Sequence, residues 1–183
     1  MNTMKALLKK IGTPPGTLIY TGERRMESVR MTITDWDEED IRVTETTDPA
    51  DCFEYRDSRN VTWINVEGLH DVEVLNRLGT DYGIHPLVLE DILNTSQRPK
   101  IEDHGDYVYV VMKHLEIDES TYEVRAEQVS LLLLENTVFS FLEGPSKTFT
   151  PIMMRLERPG SRLRRMRTDF LAYTLMDLSL IHI

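Results

Sequence analysis

The sequence holds one cysteine, Cys52, so it forms no internal disulfide and no thiolate cluster for a structural zinc. Alone, Cys52 reads as a small core or surface residue. No uninterrupted run of about eighteen apolar residues occurs, which leaves no membrane-spanning helix in this sequence. The start, MNTMKALLKKIGTPPG, has a basic patch but too few apolar residues for a signal peptide. Bases are in deficit: 21 Lys and Arg face 31 Asp and Glu, a formal charge of -10. That balance repels a phosphate backbone and concentrates cations, which argues against nucleic acid as a partner.

Catalytic and nucleotide motifs are missing too. Neither G-x-x-x-x-G-K-[ST] nor G-x-G-x-x-G appears, and Gly160-Ser161 lies in no G-x-S-x-G elbow. The histidines His70, His85, His104, His114 and His182 are scattered without the i, i+4 spacing of a helical metal pair. A Cys52–His dyad has no local signature. The expectation is therefore that the chain is not an enzyme.

At 183 residues the chain fits one domain that buries roughly 70% of its unfolded surface. Residues 1–16, ending in Thr13-Pro14-Pro15-Gly16, read as an N-terminal leader, and 17–183 as a single α/β domain. Strands are expected at Thr17–Thr21, around Val29, Met31 and Ile33, at 42–46 and at Val61–Val66, where β-branched and aromatic residues dominate. Asp37–Asp40 suit the first turn of a short helix, and a turn or helix follows over 49–55. Helical spacing marks 71–82. From 106 the period turns to strands, at 106–115, 123–134 and 137–142, the last two joined by Glu135-Asn136 as a hairpin. Helical spacing returns at Phe149, Ile152, Met153 and Leu156. Alternation of strand and helix followed by an antiparallel meander predicts an α/β sandwich, a mixed sheet covered by helices.

Two stretches carry chemistry. In GIHPLVLEDILNTSQRPKIE, residues 83–102, His85 before Pro86 reads as a helix entry and Asn94–Pro99 as its end. At about 100° per residue, Val88, Leu89, Ile92 and Leu93 share one arc. Glu90, Asp91 and Asn94 take the other, with Leu87 among them. The plain alternative is a solvated face, but a large apolar residue amid acids fits a face that meets something. Neighbouring carboxylates about 100° apart converge poorly on one substrate atom, whereas each can reach a different partner, cation or subunit.

In the second stretch, 168–183, apolar residues clothe the helix on every side, a pattern that calls for neighbours or another chain. Asp177 projects between Phe170, Tyr173 and Ile181, so its charge must be paired, coordinated or neutralised. No glycine, proline or basic turn precedes Ile183, so the helix is expected to continue beyond it. Upstream lie Arg155, Arg158, Arg162, Arg164, Arg165 and Arg167; salt bridges to the acidic domain are the first expectation and an anion site the second.

HPLVLEDILNTSQRPKIE resembles the cytoplasmic N-terminal domain of the CorA family of magnesium and cobalt transport proteins. Further landmarks follow in order: Gly12–Thr17, Trp63–Gly68, Gly83–Leu93, Gln97–Lys100, Glu127–Ser130 and Tyr173–Asp177. The resemblance implies an αβα sandwich with a mixed, roughly seven-stranded sheet, and a homopentamer around a funnel of stalk helices leading to two membrane helices per subunit. The Gly-Met-Asn pore signature, stalk and membrane helices of the family are not in this sequence, so it corresponds to the sensor portion on the cytoplasmic side of the membrane. The closing residues 179–183 depart from the family's acidic continuation. In the family, divalent ions between adjacent cytoplasmic domains hold the pore shut. By resemblance, Asp91 is the principal carboxylate of that site, its partner acid lying on the stalk. Glu90 and Asp177 match acids of a second ion position, and Thr13 a backbone contributor.

The implied function is a divalent-cation-sensing domain with magnesium or cobalt as the regulatory and transported ion. The related zinc-transporting branch is the nearest rival, although softer ligands are not clustered here. A metal-dependent hydrolase using Glu90, Asp91 and His85, and a plain interaction domain, are rivals from other classes.

Overall fold

The computed structural model describes residues 12–117 and 124–181. Seven strands form one mixed sheet: β1 (Arg30–Trp36), β2 (Ile41–Thr46), β3 (Val61–Glu67), β4 (Lys100–Asp103), β5 (Val108–Ile117), β6 (Val124–Leu133) and β7 (Thr137–Leu142), in the order β2-β1-β3-β7-β6-β5-β4. Only the β3–β7 pairing is parallel; the others are antiparallel. The helices are α1 (Ala50–Phe53), α2 (Val72–Tyr82), α3 (Pro86–Leu93), α4 (Thr150–Glu157) and α5 (Thr168–Ile181), with a 3-10 turn at Arg162–Arg165. This is the expected αβα sandwich.

Because side chains alternate across a strand, neighbouring strand residues feed two separate cores. Ile64, Tyr109, Leu132 and Phe139 pack with Leu75 and Leu78 of α2 and Leu89 and Ile92 of α3. Trp63, Val110, Leu131 and Val138 pack with Ile152 of α4 and Leu171 and Leu175 of α5. Strand β7, TVFSFL, is buried at every position, as a central strand covered on both faces must be. Each fully buried Leu or Phe there contributes about 1.5–3 kcal/mol. Cys52 belongs to the first core, where burial pushes its thiol up to about 12.

Two local expectations are corrected. Thr17–Thr21 is not a strand: Thr21 N–H donates to the Leu93 carbonyl at 3.1 Å and its hydroxyl to the same carbonyl, so the segment caps the end of α3 rather than joining the sheet. Asp37–Asp40 is not a helix start but the β1–β2 hairpin turn. There the Asp37 carboxylate accepts from Glu39 N–H at 2.9 Å and Asp40 N–H at 2.8 Å, and these backbone donors hold its pKa below the usual carboxylate value.

The arginine cluster divides. Arg164 is buried and donates to the carbonyls of Leu156, Glu39 and Glu157, tying α4 to the β1–β2 turn. Among the described residues, only Arg165 of the cluster reaches a carboxylate, Glu38 at 3.9 Å, so the expected salt-bridge network does not form.

Candidate functional site

Helices α2 and α3 set the candidate site. Asp71 caps α2 by accepting from Glu73 and Val74 N–H, and Gly83 ends it in the left-handed conformation at φ 69°. The chain then re-enters helix at once: His85 is extended, its Nδ1 accepts from Leu87 N–H at 3.2 Å, and Pro86 opens α3. Val88, Leu89, Ile92 and Leu93 face the core. The opposite arc leaves Glu90 and Asp91 half-buried and Leu87 46% exposed, as the periodicity predicts.

The two carboxylates diverge. Glu90 Oε2 accepts the Gly16 N–H at 2.7 Å, which fastens the Pro14–Thr17 turn against α3. Gly16 has φ 82°, a left-handed conformation that L side chains rarely adopt, so a glycine is favoured at this docking point. Thr13, exposed, stands just ahead of that turn. Residues 1–11 of the expected leader lie outside the described residues.

Asp91 points instead to the sheet edge. Its Oδ1 accepts from Gln97 Nε2, and its Oδ2 from Lys100 Nζ at 2.5 Å. Lys100, on β4, also donates to Glu102 Oε1 at 2.9 Å and lies 5.4 Å from the centre of the Tyr109 ring. Burial works against the Lys100 charge, but its hydrogen bonds to Asp91 and Glu102 outweigh that and raise its pKa. The Lys100 hydrogen bond holds Glu102 below its ordinary value. Gln128 of β6 donates to the Asp91 and Ile92 carbonyls, and Lys113 of β5 to the Thr95 carbonyl at 2.7 Å. These bonds satisfy carbonyls that the end of a helix leaves without partners. A surface hollow of about 330 Å³ lies beside Asp91, lined by His85, Leu87, Val88, Glu102 and His104.

Asp177 is elsewhere. It is exposed on α5, whose buried side belongs to the core on the other face of the sheet from α3. Tyr173, 59% exposed, and Phe170 lie on the same helix with ring centres 6.4 Å apart. The side chain of Ile181 and residues 182–183 lie outside the described residues. The chain therefore brings Glu90 near the Thr13 turn, turns Asp91 away from both, and keeps Asp177 in the opposite layer. Among the described residues no three His, Cys, Asp or Glu side chains are grouped to hold a metal. Of the acids and histidine of the hydrolytic alternative, His85 and Asp91 line the same hollow, while Glu90 is bound to the Gly16 amide.

Lys100, Gln97 and Gln128 are the site residues that sequence reasoning missed. Gln97–Lys100 and Glu127–Ser130 stood out as landmarks, but the turn and edge strand that bring them to Asp91 have no periodic signature.

These features define a three-layer α/β domain with a carboxylate-bearing helix face that already holds a cationic side chain. A family model described as CorA-like Mg2+ transporter protein matches residues 58–181. The chain is 43% identical over 173 residues, 94% of its length, to the cobalt/magnesium transport protein CorA of Thermotoga maritima, of which it covers 49%. It thus spans about half the length of that relative. Among solved structures, the soluble domain of CorA from Methanocaldococcus jannaschii matches with TM-score 0.60 at 15% identity, over 88% of this chain and 58% of that one. The ZntB cytoplasmic domain from Vibrio parahaemolyticus matches with TM-score 0.58 at 15% identity, over 81% and 57%. The chain belongs to the CorA-like family.

Proposed function

We propose that this chain is the cytoplasmic divalent-cation-sensing domain of a CorA-type magnesium or cobalt channel, with Asp91, Glu90, Asp177 and the Thr13 backbone contacting regulatory ions between subunits. It acts on the inner side of the cell membrane as part of a homo-oligomer, a homopentamer in the full-length protein, with leader 1–16 and domain 17–183 as its parts. The observation that carries the reading is the 43% identity to a cobalt/magnesium transport protein across 94% of the chain. Among the described residues no helix is long and apolar enough to cross a membrane.

The donors suit the ion. Asp91 already binds an ammonium, and magnesium, small and reluctant to dehydrate, is held by one or two carboxylates with waters retained. Asp177 lies across the sheet from Glu90 and Asp91, so an ion using acids of both layers is shared between copies. Acids from two copies repel when the ion leaves, and the ion favours the closed arrangement by its higher affinity for it. His85 and His104 beside Asp91 leave the related zinc-transporting branch as the second reading, since imidazole suits softer ions.

Magnesium at about tenfold over its dissociation constant is expected to raise Tm by about 3–5 °C at matched ionic strength, and Asp91→Ala to reduce that shift. Identical melting curves for wild type with and without the ion oppose the reading.

A further inference from the structure

We propose that Lys100 is a tethered competitor of the divalent ion: its ammonium occupies the Asp91 carboxylate in the ion-free chain and must be displaced for the ion to bind. The inference rests on the reading of Asp91 as an ion contact and names how that contact is regulated.

Three features of the geometry carry it. First, both Asp91 oxygens are engaged within the chain, Oδ1 by Gln97 and Oδ2 by Lys100 at 2.5 Å, so an incoming cation meets a positive charge already seated on the carboxylate and is repelled by it unless that charge leaves. Second, Lys100 has somewhere to go. Glu102 Oε1 is already 2.9 Å from its Nζ and the Tyr109 ring face is 5.4 Å away, so letting go of Asp91 leaves the ammonium with a carboxylate and a π face. Third, the main chain of Lys100 is fixed on β4, paired with Val111 of β5, so the competing charge stays at the site at constant local concentration and is not diluted as a free salt ion is.

Asp91 therefore chooses between two partners. With Lys100 it is turned back into its own chain, its charge neutralised and its oxygens withdrawn from a neighbouring copy. With a divalent ion it faces outward and shares that ion across the seam. Displacement raises the ion concentration needed for half-saturation, which places the response in the range of an abundant ion and leaves scarcer divalent ions less able to trigger it. A dication competes for Asp91 because it carries twice the charge of the ammonium and is shared with acids of a neighbouring copy.

The test is calorimetric titration of magnesium chloride into the protein, with oligomer mass by sedimentation, for wild type, Lys100→Met, Lys100→Arg and Asp91→Asn. Lys100→Met is expected to bind magnesium about two- to fivefold tighter, the span of an ion pair of this exposure. Lys100→Arg, which keeps the charge, should stay within about twofold of wild type. Asp91→Asn should strongly reduce the response. Unchanged or weaker binding by Lys100→Met, with Asp91→Asn still strongly reducing the response, overturns the competitor role and leaves the ion site standing. A full response in Asp91→Asn overturns the ion site itself and the competitor with it. Melting curves of the ion-free variants, expected to lie close to wild type, show that each is folded.

Discussion

Glu90 and Asp91 are adjacent in sequence yet serve different partners, the Gly16 amide and the Lys100 ammonium. Their place on the outer arc was legible from a period of 3.6, because the apolar positions of α3 leave them nowhere else to point. Their partners were not, because Gly16 and Lys100 reach them through loops without periodicity. Glu143 was equally hidden: it is buried at the end of the β7 strand, accepts Gln128 N–H at 2.8 Å and lies 3.8 Å from Arg25. Burial raises its pKa above the ordinary carboxyl value despite these partners. A raised acid makes its neutral form the favoured one in the fold, so its stability contribution is full below the unfolded pKa and is lost as pH rises through the folded one. Glu143→Gln, permanently neutral, is expected to melt above wild type at pH about 7, the gap shrinking as pH falls through the raised folded pKa and closed once pH is below about 4.3. A gap that widens toward acid in a series of melting curves contradicts this sign.

Among elements, α3 is held in place by a close crossing over α2. A Cβ on Gly79 would lie 2.2 Å from Leu89 Cδ1 and 3.1 Å from its Cγ, so the buried Leu89 side chain would have to shift within a packed core. Gly79→Ala gains up to about 1 kcal/mol in helix propensity, but overpacking costs about 1–3 kcal/mol, so the variant should be net destabilised by roughly 1 kcal/mol in chemical denaturation. The entry at His85-Pro86 and the strand 61–66 were readable because proline and β-branched runs act locally. Strand β4, KIED, was not read in advance: it is four residues long, polar and at the sheet edge, and edges carry such residues to discourage further pairing. Asp37 misled for a related reason, since acids suit both a helix start and the side-chain-capped turn that forms here.

At the scale of the molecule, a chain of formal charge -10 gathers cations while resisting self-association. Yet it exposes Leu87 on one layer and Tyr173 on the other. A seam of the kind proposed, joining unlike layers of neighbouring copies, is heterologous, closing into a ring or running on as a filament. Leu87→Asp is expected to lower association in magnesium without changing the melting of the ion-free chain by more than about 0.5 kcal/mol, read by sedimentation and calorimetry. The sandwich and its outer acids could be inferred from patterning, whereas the opposition of α3 and α5 across the sheet could not, because strand order is fixed by long-range pairing. The most direct test of the whole account is the weight-average mass of wild type and Asp91→Ala across a magnesium titration at constant ionic strength. Wild-type mass should rise with the ion and that of the variant should rise far less; superimposable curves for the two proteins contradict a magnesium-bridged seam at Asp91.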